Sequence, residues 1–134
     1  MSELIHSVDS SQEITAAAQR LRERALHREV TPLQVIEILE RWGASLRGPA
    51  LDAIAGVAFL RLWLRRGTLE PIVVRELGAS ALRGEWTDGQ TARFRVFPLG
   101  VVGHWPAANI EIQPLLSLTC SLLGGNACLV RVPA

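Results

Sequence analysis

Residues 97–133 read FPLGVVGHWPAANIEIQPLLSLTCSLLGGNACLVRVP. Residues 99–105 form a nearly continuous apolar run, the pattern of a strand covered on both faces, as parallel sheets require. Residues 110–123 then have the length and character of a helix, Gly124, Gly125 and Asn126 stop it, and residues 127–132 make a second apolar strand. Strand, helix and strand within about 35 residues predict a βαβ unit with a right-handed crossover. Two parallel strands do not form a covered sheet alone, so the reading expects an incomplete unit, continued beyond Ala134 in a larger protein.

Working back from this unit, Asp88-Gly89 between Trp86-Thr87 and the run from Thr91 to Phe97 signals a hairpin with a two-residue turn. Upstream of it the chain is helical. Ser10 and Glu13 have capping-box spacing ahead of Ile14, Ala17, Ala18, Leu21 and Ala25. Thr31-Pro32 opens a second helix through Leu33, Ile36 and Leu39 that ends before Gly43, and Pro49 opens a third that runs to Gly67. A fourth is expected from Leu69 to Leu77, stopped by Gly78. The chain is thus α/β, with a helical segment over 1–84, a β-ribbon over 85–97 and a first, truncated βαβ unit over 98–134.

Composition excludes several classes. The 134 residues are 49% hydrophobic and 20% charged, a globular balance. A net charge of +1 leaves no footprint for nucleic acid. The N-terminus carries Glu3 and Asp9 where an export signal needs a basic stretch and an apolar core. Residues 113–130 lack charge but are interrupted by Ser117, Thr119, Ser121 and the Gly-Gly-Asn turn, so no membrane span is expected. Cys120 and Cys128 have neither disulfide nor metal spacing and are expected to be buried small hydrophobes in a reducing, cytoplasmic setting.

Chemistry is expected in the turn over residues 103–109, because open α/β sheets bind ligands beyond the carboxyl ends of their strands. Neither a Gly-x-Gly-x-x-Gly fingerprint nor a phosphate loop is present. The Asn109 amide suits either of two tasks, donating to an oxyanion or capping the helix that follows. His104 is a candidate base or donor and equally a structural residue, and Trp105 is core or pocket wall. Arg131, a cation closing a buried strand, calls for an anionic partner such as a ribose or phosphate oxygen or a carboxylate.

Pro98-Leu99-Gly100-Val101-Val102 with Asn109 nine residues after Gly100, and then Gly125-Asn126 with Leu129-Val130-Arg131-Val132-Pro133, resemble the aldehyde dehydrogenase superfamily. His104, the small pair Ala107 and Ala108, and Asn126 seventeen positions after Asn109 are similar to its acyl-CoA reductase branch, the long-chain reductases of bacterial bioluminescence. The resemblance implies a Rossmann-type cofactor domain, here only begun, and reduction of an acyl-CoA or other acyl thioester to an aldehyde through a cysteine acyl-enzyme. It implies that Asn109 supplies the oxyanion-hole amide and that Trp105, Pro106, Ala107 and Ala108 run beside the nicotinamide of NADPH or NADH. Arg131, where relatives carry Lys, would meet the adenosine ribose or its 2′-phosphate. Neither Cys120 nor Cys128 matches the family's nucleophile. A homo-oligomer built through the β-ribbon is expected; the rival reading is a short, non-catalytic relative that uses the ribbon as an interaction module.

Overall fold

The computed structural model describes residues 11–27, 30–106 and 112–131, so Ser10, Ala107, Ala108, Asn109 and Val132 lie outside the described residues. Helix α1 (Ser11–His27) half-buries Ala17, Ala18, Leu21 and Ala25 of the expected stripe but leaves Ile14, its first member, exposed. Helix α2 (Pro32–Ser45) has the predicted start. Thr31 Oγ1 accepts from the Gln34 backbone at 3.4 Å while Gln34 Oε1 accepts from the Thr31 backbone at 2.9 Å, a reciprocal capping box with Pro32 behind it.

The expected end of α2 before Gly43 is wrong, and packing explains why. A Cβ at Gly43 would stand 2.9 Å from Leu64 Cβ, so this glycine lets two helices approach and does not terminate one. The expected long third helix is in fact two short ones, α3 (Pro49–Asp52) and α4 (Val57–Trp63). Gly56 breaks it with φ +85°, and a Cβ there would come within 2.7 Å of Ile112 Cγ2. Gly56→Ala is therefore expected to destabilise the fold by about 2–4 kcal/mol, combining left-handed strain with overpacking. A urea midpoint unchanged from wild type would show that the break tolerates a side chain.

Helix α5 (Arg66–Leu77) starts three residues earlier than expected and takes in Gly67. The Arg66 backbone N–H donates to the Glu40 carboxylate at 3.1 Å, so a residue of α2 closes the N-terminus of α5. Sequence spacing within α5 carries no trace of that cap. Gly78 ends the helix as predicted, and a short 3-10 helix (Ala79–Arg83) follows.

The core lies among the helices. Val35, Ile36 and Leu39 of α2 pack with Leu60 and Leu64, with Leu69 and Val73 of α5, and with Leu123 from the far end of the chain. Burying each such side chain is worth about 1.5–3 kcal/mol. Leu123 thereby ties the strand-helix-strand region to the helical half.

The ribbon is antiparallel but minimal, β1 (Thr87–Asp88) against β2 (Arg93–Phe94). Asp88 sits within a strand, opposite and ion-paired with Arg93 at 2.9 Å, so the expected two-residue turn is a four-residue loop over 89–92. Gly89 is required in it, since a Cβ would meet Ala92 O at 2.8 Å.

Strand β3 (Val101–His104), helix α6 (Gln113–Leu123) and strand β4 (Ala127–Val130) form the predicted βαβ arrangement, with β3 and β4 parallel from Val101↔Ala127 to His104↔Val130. Both α1 and α6 pack against the pair. The strands are shorter than expected and only partly buried, because a two-stranded sheet leaves its outer edges uncovered. Leu99, counted as strand, is 88% exposed.

Candidate functional site

The parallel register brings the ends of β3 and β4 together: the Arg131 N–H donates to the His104 carbonyl at 3.0 Å. Trp105, Pro106 and Arg131, all expected in the site, therefore share one edge of the sheet. Trp105 is 73% exposed, so it is neither core nor the wall of a closed pocket. Its ring leans over Gly103, where an added Cβ would be 3.8 Å from Trp105 Cζ3. A flat indole face and a cation thus stand at the carboxyl end of the pair.

Arg131 requires a correction. Its side chain is exposed, so no desolvation demands a partner, and that argument for an anion beside it fails. What survives is its place at the strand end.

His104 faces the other way. It is 7% exposed, and its Nδ1 lies 2.8 Å from Ser117 Oγ on α6, which ties the end of β3 to the covering helix. This is the structural role. Its Nε2 is buried without a hydrogen-bond partner.

Helix α6 begins later than expected, with Ile112 as its N-cap and no side-chain hydrogen bond there. Asn109, expected at this turn, lies outside the described residues.

Sequence reading missed what Asn126 does. Its Oδ1 accepts from the Leu99 N–H at 2.6 Å and the Gly100 N–H at 3.2 Å, while its Nδ2 donates to Ser121 O at 3.1 Å. One amide clamps the start of β3 to the end of α6. The positive φ values of Gly100 and Gly125 shape the backbone on either side of that clamp. An amide directly after a glycine pair was the available signal, and it says nothing about a partner 26 residues away.

The cysteines also differ from expectation. Both are free, Cys120 is exposed on α6 and Cys128 is half-buried. Burial pushes the Cys128 thiol up from its usual range, against the opposing effect of a hydrogen bond with Ser121. Among the described residues no cluster of His, Cys, Asp and Glu could hold a metal, and no helix is long and apolar enough to cross a membrane.

A family model described as acyl-CoA reductase (LuxC) matches residues 12–134. A long-chain acyl-protein thioester reductase of Vibrio harveyi is 30% identical over 69 residues, 52% of this chain and 14% of the relative. One of Photorhabdus luminescens is 29% identical over 66 residues, 49% of this chain and 14% of the relative. The matched stretch therefore spans about one seventh of the length of these relatives. No solved structure matches the chain.

Proposed function

Because the chain belongs to the LuxC acyl-CoA reductase family, we propose that it forms the opening, cofactor-side part of an NAD(P)H-dependent reductase that converts a fatty acyl thioester to an aldehyde. The family match over residues 12–134 carries this reading.

The nicotinamide cofactor supplies a hydride when bound. The residues present suit such a group, since exposed Trp105 offers an apolar ring face at the same sheet edge as the Arg131 guanidinium. In the reading, Trp105, Pro106, Ala107 and Ala108 border the nicotinamide, and Arg131 receives the adenosine ribose or its 2′-phosphate, a geometry that a planar guanidinium matches. Asn109 donates its amide N–H to the thioester oxygen as negative charge develops there. The acyl-accepting thiolate is neither cysteine here: neither matches the position of the family's nucleophile, and Cys128 is held toward its protonated form.

Exposed Trp86, Phe94 and Phe97 on the ribbon support a further part of the reading, contact with a second copy through this element. The free thiols suit a reducing, cytoplasmic setting.

Arg131→Ala in the full-length protein is expected to weaken NADPH binding by about tenfold or more, the scale of one hydrogen bond to a charged group, and NADH binding less. Equal, unchanged affinities for both cofactors in a fluorescence titration would remove Arg131 from the cofactor site.

A further inference from the structure

The end of β3 holds a buried polar group that stability alone does not account for. Side chains alternate across a strand, so Gly103 and Trp105 share one face and His104 takes the other, against α6. There the ring is 7% exposed, with Nδ1 2.8 Å from Ser117 Oγ and Nε2 buried without a hydrogen-bond partner. An unpaired buried nitrogen carries a desolvation cost that a leucine of similar volume avoids, and Ser117, exposed on α6, stays hydrated without its partner. A histidine here is not what packing would select.

Its neighbours supply a reason. The His104 carbonyl accepts from the Arg131 N–H at 3.0 Å, one residue beyond the last paired position of the two strands. Trp105 leaves β3 directly after His104, 73% exposed, with Pro106 behind it. One residue thus joins three parts: its ring reaches α6, its carbonyl holds Arg131 and its peptide bond carries Trp105. The Trp105 and Arg131 side chains are both exposed, so packing does little to direct them. Their spacing is set by the backbone that His104 fixes.

We propose that His104 is a positioning residue for the cofactor edge: its hydrogen bond with Ser117 locks the end of β3 onto α6 and so keeps Trp105 and Arg131 at the separation a dinucleotide needs. The proposal rests on the cofactor reading above. It adds that a side chain facing away from the cofactor governs how tightly the cofactor binds.

The test follows NADPH affinity by fluorescence titration, and Tm in parallel, in the full-length protein and its His104→Leu, His104→Asn and Ser117→Ala variants and the Leu/Ala double variant. His104→Leu is expected to keep or raise Tm yet weaken NADPH binding by about tenfold or more, within the range that a ~1 Å misplacement causes. Ser117→Ala should weaken binding to a like extent and the double variant no further, because both changes remove the same bond. His104→Asn, whose amide reaches the place of Nδ1, should recover most of the affinity. Unchanged affinity in both His104→Leu and Ser117→Ala overturns the proposal, as do losses that add in the double variant or that only follow a fall in Tm, the mark of a purely structural histidine. If His104→Leu does not fold, Ser117→Ala, at an exposed site, decides by the same criterion. A wild type that binds no NADPH overturns the cofactor reading and this proposal together, whereas a wild type that binds beside indifferent variants overturns this proposal alone.

Discussion

Asn109→Asp in the full-length protein is expected to retain thermal stability while single-turnover acylation falls by at least ~100-fold, the scale of losing one oxyanion donor. The substitution keeps size and shape but replaces the amide N–H donor with a carboxylate, which faces the developing oxyanion with like charge. Stability should survive because a helix cap needs a side-chain oxygen that accepts from the backbone, and Asp keeps one. An added negative charge ahead of a helix N-terminus is neutral or mildly favourable. Thermal melts and quenched-flow acylation of the two proteins decide the matter: near-normal acylation ends the catalytic role, and a collapsed Tm makes Asn109 structural.

The second large effect is expected at Asn126, and it concerns the fold. Asn126→Ala removes the acceptor shared by the Leu99 and Gly100 N–H groups and the donor to Ser121 O. Leaving such groups unmatched costs about 2–4 kcal/mol, allowing for the exposure of Leu99. Asn126→Asp keeps the acceptor and loses only the donor, so its urea midpoint should fall between those of wild type and Asn126→Ala. Two variants that unfold together would refute the idea that the two halves of the amide do separate work.

The parts that were legible in sequence were those governed by local chemistry. Thr31, Pro32 and Gln34 form a self-contained start signal, and α2 begins where they predict. Apolar runs around a Gly-Gly-Asn stop marked β3, α6 and β4, and the parallel register of the two strands puts Trp105 and Arg131 at one edge. The parts that failed depend on partners distant in sequence. Gly43 and Gly56 are both glycines inside apolar helical patterns, yet Leu64 makes the first a packing position and Ile112 makes the second a break. Glu40 caps a helix 26 residues away, and the Asp88–Arg93 pair moves a turn that a dipeptide rule would place earlier. Burial was overestimated for Arg131 and Leu99 because apolar runs suggested a fully covered sheet, and the described pair has open edges, whereas Cys120 lies on an exposed part of α6.

The unequal exposure of the two cysteines bears on how the reactive thiol of the intact protein is to be identified. Alkylating reagents report first on accessibility and thiolate fraction, and catalytic involvement is a separate matter. Cys120, in the open on α6, will take up iodoacetamide whether or not acyl transfer uses it. Cys128, half-covered and held protonated, will lag until the medium is more alkaline. A stoichiometry of modified sulfur therefore contains a bystander from this segment, and protection by acyl-CoA must be scored peptide by peptide. Replacing Cys120 by serine before labelling removes that background without entering the core.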